Sequence, residues 1–180
     1  MKKRSLLAVT ACLALCVPAS LAGGAQNSPM AAISTAQVSN DTDVLFMEVM
    51  TMSNLTEIQT SRLALQRSSN AEVRAFAQEM IVEHTKAQAE LNAIAQAKGI
   101  RLADKPGADQ RLQYNKLTTL SGAAFDAEYK KVQIDGHTMT LKLIQTYRTV
   151  TKDAQAAAYA AKTQPVVAKH LEHAKMLPGS

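Results

Sequence analysis

The 180-residue sequence has no tryptophan and contains only seven glycines, five prolines, three phenylalanines and four tyrosines. So few turn-forming residues exclude an all-β sandwich or barrel, because these folds need many turns. Hydrophobic residues make up 47% and charged residues 19% of the chain, which excludes an intrinsically disordered protein. The abundant alanine, leucine, glutamine and lysine are good helix formers. Composition and length therefore predict one all-α domain.

The amino-terminal segment 1–22 has the three parts of a secretory signal peptide. Residues 2–4 are basic, residues 6–17 form an apolar run, and small residues precede a cleavage site near Ala22 or Ala25. The apolar run is too short to span a bilayer comfortably, because a spanning helix needs about 20 apolar residues. We therefore predict that this segment is removed on export.

Removal of this segment changes what the chain can do chemically. Both cysteines, Cys12 and Cys16, lie inside it, so the mature chain would have no disulfide and no cysteine-ligated metal. The formal net charge falls from +5 to +2, because the three basic residues 2–4 leave. So small a charge predicts no nucleic-acid binding, which needs a concentrated basic surface. We expect a periplasmic or secreted protein with no transmembrane helix in the mature chain.

A lipid anchor is the second interpretation of the same segment. Residues 9–12 are Val, Thr, Ala and Cys, which resembles the lipobox that ends in a lipidated cysteine, here Cys12. The stretch before Cys12 is short for a lipoprotein signal. On this alternative the protein would be attached to the outer membrane.

The rest of the chain divides into a linker and four long helices. Residues 23–42 lack a sustained period and are predicted to be a flexible linker. Tight turns join the helices into two antiparallel hairpins, and the connection of about 23 residues between the hairpins can reach ~70 Å. We therefore predict a ferritin-like four-helix bundle with one long crossover at residues 43–177. Apolar periodicity and capping residues predict long helices at 43–67, 71–98, 123–151 and 154–177, with a short helical turn at 108–117.

The first helix carries the least regular apolar pattern. Its buried stripe is predicted to contain Leu45, Val49, Met52, Thr56 and Leu63. The pattern is broad enough to leave a second apolar face on this helix. That second face is the basis for expecting a homodimer.

All four histidines lie in the predicted helices, and two of them are central in apolar stripes. These two are His84 and His170, and a buried imidazole needs a hydrogen-bond partner or a metal. Counted from the tight turns, Glu57 is within roughly 3 Å of the height of His84. In the same way, Asp135 and His137 are within ~5 Å of the height of His170. If the hairpins pack in register, these five residues converge, and their imidazole and carboxylate groups suit iron, manganese or zinc.

Two observations argue against a metal centre of the di-iron kind. On a helical wheel, Glu57 and His137 lie about 120° from the centres of their stripes, so they are expected to face a side interface or solvent. The residues three before the core histidines are Ile81 and Val167, where carboxylate-bridged di-metal centres have glutamate. The alternative is a pair of buried histidines that are hydrogen-bonded to Gln, Thr or Glu across the bundle.

The motifs of common enzyme classes are missing from the sequence. It has no G-x-S-x-G nucleophile elbow and no Gly-rich phosphate-binding loop. Without the di-metal signature, ferroxidase or oxygenase chemistry is not expected either. We therefore predict that the protein is not an enzyme.

Six segments stand out by their order along the chain. They are LTEI at 55–58, LALQRSSNAEV at 63–73, FAQEMIVEHTKA at 76–87, LSGAAFD at 120–126, DGH at 135–137 and KHL at 169–171. In this order they resemble the bacterial exported family called domain of unknown function 4142, over about residues 43–177. The resemblance implies a ferritin-like fold in a periplasmic or outer-membrane-associated protein. It implies no established activity.

The resemblance also implies two acid–histidine pairs. Family members typically carry one pair in helix two, here Glu83 and His84, and another in helix three. In this chain the second pair is Asp135 and His137. Gly136 stands between them, where the family has directly adjacent residues.

These observations support three functional hypotheses. The first is an exported, non-catalytic helical module that acts in binding or in stress, through an unknown protein partner. The alternative is a ferritin-like protein that binds a divalent metal through His84, His170 and nearby acids. The third is an envelope protein that is anchored by lipid on Cys12.

Overall fold

A computed structural model describes residues 34–179, and their regular structure is entirely helical. Within these residues there is no β-strand, which confirms the predicted all-α class. The predicted signal peptide and Cys12 lie outside the described residues. The five α-helices are α1 (Thr42–Arg67), α2 (Ala71–Ala97), α3 (Ala108–Thr118), α4 (Gly122–Val150) and α5 (Ala154–Met176).

Capping residues determine where the long helices begin and end. The side chains of Asp41, Asn70 and Asp153 accept hydrogen bonds from backbone N–H groups in the first turns of α1, α2 and α5. These N–H groups have no partner within the helix, so each cap stabilises its helix by about 1 kcal/mol. The carboxyl end of α2 is followed by Gly99, whose φ of 66° is a conformation that glycine adopts without strain.

The four long helices pack side by side, and each is antiparallel to its neighbours. α1 packs against α2 and α4, and α5 packs against the other sides of the same two helices. Three-residue turns join α1 to α2 and α4 to α5. Residues 98–121 then return from one end of the assembly to the other, and α3 within them packs against α1 and α4.

Two apolar clusters occupy the two ends of the assembly. The first-turn core lies at the α1–α2 turn and consists of Leu63, Ala64, Val73, Phe76, Ala77, Met80, Leu117, Phe125, Tyr129, Val132, Ala174 and Leu177. The second-turn core lies at the α4–α5 turn and consists of Phe46, Met47, Met50, Leu91, Ala95, Ile144, Tyr147, Ala156, Tyr159, Ala160 and Val167. Both cores draw residues from both hairpins, so the hairpins are held together at each end.

A layer of buried polar residues separates the two apolar cores. Burial of a polar group is unfavourable unless the group is hydrogen-bonded, so this layer needs an explanation beyond folding. α1 supplies five of its eleven residues. The polar layer consists of Thr51, Ser53, Asn54, Glu57, Thr60, His84, Gln88, Gln133, His137, Thr140 and His170.

The polar layer changes which face of α1 is buried. The predicted stripe is wrong for Leu45, which is 41% exposed, and Val49 and Met52 are only partly buried. Phe46 and Met47 are buried instead. The physical reason is that much of the buried face of α1 is polar, so its apolar residues do not mark that face.

The last part of the predicted linker packs against the segment that follows α2. A short 3-10 helix, Thr35–Val38, is held by two hydrogen bonds to Arg101. The Thr35 N–H donates to the Arg101 carbonyl at 2.8 Å, and the Arg101 N–H donates to Thr35 Oγ1 at 2.8 Å. This stretch is therefore attached rather than free, and residues 23–33 of the linker lie outside the described residues. None of the helices in the described part of the chain is long and apolar enough to cross a membrane.

Candidate metal centre

Three histidine side chains meet in the polar layer. His84 comes from α2, His137 from α4 and His170 from α5. The ring centroid of His84 lies 5.6 Å from that of His137 and 5.5 Å from that of His170, and the His137 and His170 centroids are 5.4 Å apart. Each ring offers one nitrogen, and the three nitrogens lie within 4.8 Å of one another. The exposed fractions of the three residues are 6%, 2% and 1%. The structure thus brings all three histidines predicted as ligands together in the interior.

The triangle of nitrogens is close to the size that a metal ion needs. Because the three nitrogens are at most 4.8 Å apart, a point exists that is no more than about 2.8 Å from each of them, whereas zinc binds an imidazole nitrogen at about 2.0–2.1 Å. Inward movement of each ring by no more than about 0.7 Å would therefore complete the site, and side chains commonly move this far. The residues present fit an ion with three imidazole ligands.

A hydrogen bond at Nδ1 of His84 leaves its other nitrogen free. Nδ1 lies 2.9 Å from Asn54 Oδ1. The amide nitrogen of Asn54 donates to Gln88 Oε1 at 3.0 Å and to the hydroxyl oxygen of Tyr159 at 3.3 Å, so its oxygen faces His84 as an acceptor. We infer that Nδ1 of His84 carries the proton. The lone pair then lies on Nε2, which is buried and has no hydrogen-bond partner.

His137 has the same arrangement with a different acceptor. Its Nδ1 lies 2.8 Å from the backbone carbonyl oxygen of Gln133, which can only accept, so Nδ1 carries the proton. Its Nε2 is buried and without a hydrogen-bond partner. Metal-binding histidines ordinarily donate their second N–H to a carbonyl or carboxylate in this way, which fixes the orientation of the ring.

His170 differs from the other two because neither of its ring nitrogens has a hydrogen-bond partner. A carboxylate oxygen of Glu83 lies 3.6 Å from its Nε2, which is longer than a hydrogen bond. Buried polar atoms in native structures nearly always have a partner, so each exception needs a reason. A ligand between the three rings would supply one.

Burial keeps His84 and His170 neutral. It lowers the pKa of His84 well below the ordinary value of 6.5, and the neighbouring His137 and His170 lower that pKa further. Burial, with His137 next in importance, lowers the pKa of His170 to about 4. The neutral imidazole is the form that binds a metal. Both rings are therefore ready to act as ligands at neutral pH.

Glu57 lies beside the cluster, on the Nδ1 side of His137. Its Oε1 is 3.8 Å from that protonated nitrogen, so Glu57 is close to the three-nitrogen group without belonging to it. Burial raises the pKa of the Glu57 carboxyl, while His137 and Gln133 act in the opposite direction. Gly136 leaves room for this carboxylate, because a Cβ there would lie 3.1 Å from Glu57 Oε1, which is a tight contact.

Of the two orientations predicted for Glu57 and His137, the one toward solvent is wrong. Each is only 2% exposed. The helical wheel identifies the buried face with the apolar stripe, and here α1 and α4 bury polar side chains against each other. The two residues therefore lie off the apolar stripe and inside the protein at once.

Asp135, the fifth predicted ligand, is not brought to the cluster. Its side chain is 53% exposed and forms an ion pair with Lys131, one turn earlier on α4. Residues two apart on a helix do not face each other, so the buried position of His137 directs Asp135 outward. The pairing of Asp135 with His137 that the family resemblance implies is therefore not made.

The other implied pair, Glu83 with His84, is also not made. Adjacent helical residues point about 100° apart, so a buried His84 leaves Glu83 near the edge of α2. From that edge the Glu83 carboxylate approaches His170 on α5 instead, at 3.6 Å. Glu83 and His84 therefore belong to two different groups of side chains, which have His170 in common.

Sequence reasoning missed the residues that orient the rings, namely Asn54, Gln88 and Gln133. Gln88 follows His84 by four residues, and Gln133 precedes His137 by four. These spacings place each glutamine on the same helix face as its histidine. This spacing could have pointed to Gln88, whereas Asn54 contacts His84 from another helix and Gln133 bonds His137 through its backbone carbonyl, so no side-chain pattern indicates either of them.

Comparison with protein families gives one match over most of the chain. A family model described as a domain of unknown function (DUF4142) matches residues 27–177. No curated protein matches the chain significantly.

Solved structures of a protein named CopM have a similar fold. Its Cu(II)-bound form is 18% identical, with a TM-score of 0.60 over 74% of this chain and 93% of that chain. Its Cu(I)-bound form is 18% identical, with a TM-score of 0.62 over 74% and 92%. Its Ag-bound form obtained by co-crystallization is 19% identical, with a TM-score of 0.60 over 74% and 92%. At this level of identity the likeness shows a shared fold alone.

Proposed function

This chain belongs to the DUF4142 family, and we propose that it is an exported, ferritin-like four-helix bundle that binds one transition-metal ion, preferably copper, at His84, His137 and His170. The observation that carries the proposal is the convergence of three buried imidazoles with unpartnered nitrogens. A buried polar atom without a partner costs about 1–3 kcal/mol. A bound ion would be the partner that these nitrogens otherwise lack.

The donor set supports copper among the metals considered. Three neutral imidazoles suit copper, zinc, nickel and iron, whereas carboxylate and water ligands suit magnesium, calcium and manganese. Affinity for a given nitrogen site rises from manganese and iron to copper and falls again at zinc. Iron, manganese and zinc, the metals expected from the sequence, are therefore the weaker candidates for this site.

Glu57 supports a cation at this interior position. A charge that is buried without compensation is strongly unfavourable. An ionised Glu57, 3.8 Å from His137, would leave a site with Cu⁺ neutral and a site with Cu²⁺ carrying one positive charge. With either copper ion, the net charge buried at the site would therefore be at most one.

The structural relatives support the same choice. CopM, which shares this fold, is described in Cu(I)-bound, Cu(II)-bound and Ag-bound forms. We assign the ligands from the geometry of this chain alone. The relatives add that a helical assembly of this shape is compatible with copper binding.

We propose binding rather than catalysis. The three histidines are at most 6% exposed, and apolar cores close the polar layer at both ends. Catalytic metal sites keep an open coordination position for water or substrate. An ion among these rings would be shielded from a substrate, which suits storage or sequestration.

Export is part of the same proposal and is supported by the basic residues 2–4 and the apolar run 6–17. The mass of the chain recovered from the cell envelope tests it. A mature chain that begins at Gly23 or Gln26 indicates a cleaved protein, whereas a lipid on Cys12 indicates an anchored one. A chain that retains its first residues unmodified would contradict export.

The test of metal binding is a titration of the chain purified without a histidine tag. Cu⁺ under anaerobic reducing conditions, Cu²⁺ and Zn²⁺ are each titrated against a chromogenic chelator. We expect one copper ion per chain, bound more tightly than zinc. Replacement of one ligand, as His84→Gln or His137→Gln, should weaken copper binding by about 100-fold or more.

His173→Gln is the matched control for these variants. His173 is on the same helix as His170, is 39% exposed, and contacts Glu79 outside the three-nitrogen group. This variant should keep the stoichiometry and the equilibrium affinity of the parent chain. Thermal melting followed by circular dichroism verifies that each variant is folded. No stoichiometric copper in the parent chain, or unchanged affinity in folded His84→Gln, would overturn the proposal.

A further inference from the structure

A second cluster of metal-ligating groups lies at the surface beside the buried one. Glu79 and Glu83 on α2 and His170 on α5 each place a ligand atom within 4.8 Å of the other two. The two glutamate side chains are 24% and 43% exposed, so solvent reaches the carboxylates. His170 is 1% exposed and forms the inner side of the cluster.

His170 belongs to both clusters, because it also forms the buried triangle with His84 and His137. Both of its ring nitrogens are buried and lack a hydrogen-bond partner. Its Nε2 lies 3.6 Å from Glu83 Oε2, which is too long for a hydrogen bond but compatible with a shared ion. One ring therefore separates the solvent-exposed carboxylates from the buried nitrogens.

We propose that Glu79, Glu83 and His170 form an outer site that captures Cu²⁺ from solution and passes it to the buried triangle. The destination of the ion rests on the proposed function, and the outer site adds the route by which the ion arrives. Carboxylate oxygens and an imidazole suit a hydrated divalent ion. Loss of water from the ion then takes place beside a ligand that both sites share.

Two neighbouring side chains, Lys169 and His173, hold Glu79 and compete with an incoming ion. Lys169 Nζ lies 3.1 Å from Glu79 Oε1, and His173 Nδ1 lies 2.9 Å from Glu79 Oε2. The side chains of Lys169 and His173 are 70% and 39% exposed, and ion pairs at the surface contribute about 0–1 kcal/mol. A divalent ion therefore displaces them at small cost. Removal of the Lys169 charge should strengthen the outer site.

An ordinary surface ion pair on the same two helices provides the contrast. Glu90 on α2 pairs with Lys162 on α5 at 2.6 Å, as Glu79 pairs with Lys169. Glu90 belongs to neither group of metal-ligating side chains found in residues 34–179. What sets the outer site apart is the buried, unpartnered ring of His170 against its carboxylates.

The first experiment measures how fast Cu²⁺ binds to the full chain, by stopped-flow quenching of tyrosine fluorescence. We expect Glu79→Gln/Glu83→Gln to lower the association rate constant about tenfold. The equilibrium affinity for the buried ion should change less than about twofold, because the three imidazoles are intact. Lys169→Gln should raise the association rate constant.

The control variant Glu72→Gln/Glu90→Gln removes the same charge from α2 without touching the outer site. It should bind Cu²⁺ at the rate of the parent chain. An association rate that is equal in Glu79→Gln/Glu83→Gln and the parent chain would overturn the outer site and leave the buried site standing. The same would hold if both double variants were slowed equally, because net charge would then explain the effect.

The second experiment separates the outer site from the buried one. His84→Gln/His137→Gln removes two ligands of the buried triangle and keeps His170 with its two glutamates. We expect this folded variant to hold one Cu²⁺ weakly, with one nitrogen ligand in its electron paramagnetic resonance spectrum. Adding Glu79→Gln/Glu83→Gln should abolish that ion.

The two proposals fail in different ways. A parent chain that holds only the weak, glutamate-dependent ion would reject the buried copper site and support the outer one. A His84→Gln/His137→Gln variant that holds no Cu²⁺ would reject the outer site. Helical circular dichroism spectra establish that the variants compared are folded.

Discussion

The apolar cores and the polar layer between them are built on opposite principles. Phe76 in the first-turn core and Ile144 in the second-turn core are completely buried, and burial of such a side chain contributes about 1.5–3 kcal/mol. The polar layer buries atoms whose hydrogen bonds are incomplete. Within residues 34–179, it contains six of the eight buried side-chain nitrogen and oxygen atoms that lack a partner.

The difference indicates which part of the interior serves folding and which serves a ligand. Replacement of buried polar groups by apolar residues of similar volume often stabilises a protein. An interior built for stability alone would therefore continue the apolar cores through the middle. The polar layer gives up some of that stability, which is the usual relation between a functional site and its fold.

The largest effect on stability is expected in the first-turn core. Phe76→Ala removes a fully buried ring that packs edge-on against Tyr129 and His173, with ring centroids 6.3 and 5.0 Å away. We expect the free energy of unfolding to fall by about 3–5 kcal/mol, measured by urea denaturation. The remaining folded protein should still bind one copper ion. If Phe76→Ala lowered the free energy of unfolding less than His84→Gln, His137→Gln or His170→Leu does, the contrast between the apolar cores and the polar layer would be contradicted.

The second effect is a loss of stability of the metal-free protein as the pH falls, and it arises in the polar layer. Burial lowers the pKa of His170 to about 4 and also lowers the pKa of His84. Below about pH 6.5 the unfolded chain binds more protons than the folded one, so stability declines from there toward pH 4. Each unit by which folding lowers the pKa of a histidine corresponds to about 1.4 kcal/mol of the free energy of unfolding. Urea denaturation between pH 7.5 and pH 5 measures the decline.

Glu57 acts against this trend and needs a control. Burial raises the pKa of its carboxyl, so protonation of Glu57 favours the folded chain as the pH falls. His137, Glu79, Lys169 and His173 also act on the pKa of His170. The variant His170→Leu isolates its contribution, because stability should then depend less on pH than in the parent chain. Parallel curves for the two proteins would contradict the assignment.

The smallest effect on stability is expected from a variant that makes the polar layer more apolar and so more like the two apolar cores. His170→Leu replaces an unpartnered ring with an apolar side chain, so we expect the metal-free protein to gain about 1 kcal/mol. Copper should raise the melting temperature of the parent chain more than that of this variant, because the variant keeps only two of the three ligands and binds the ion more weakly. If metal-free His170→Leu is instead less stable than the parent chain, the His170 ring contributes to the stability of the fold and the prediction is contradicted.

Helix boundaries were predictable because local chemistry determines them. Asn70 and Asp153 cap helices that begin within one residue of the predicted positions, and Gly99 follows the end of α2. The height of the site was equally accessible, since the rise per residue of a helix is constant. Counting from the turns placed His84 level with Glu57 and His170 level with His137, and the structure buries both of these partners.

The rotation of each helix about its own axis was not predictable from the same patterns. Leu45 is exposed and His137 is buried, the reverse of what their apolar surroundings indicate. A buried polar layer removes the assumption that the interior face is the apolar face. For the same reason, Asp135 and Glu83 looked alike in sequence, and only packing across helices separates an exposed ion pair from a contact with His170.

The origin of the three rings has a consequence for how the chain is held together. His84 belongs to the first hairpin, His137 and His170 belong to the second, and residues 98–121 are the covalent link between the two. An ion bound by all three would be a cross-link between hairpins, closing a loop of about 50 residues. A covalent cross-link of that span would restrict the unfolded chain by about 4 kcal/mol in loop-entropy terms, whereas an ion that binds only the native state stabilises it in proportion to its affinity and concentration. With cysteines only at Cys12 and Cys16, the chain has no disulfide to make that connection, and the ion would take its place.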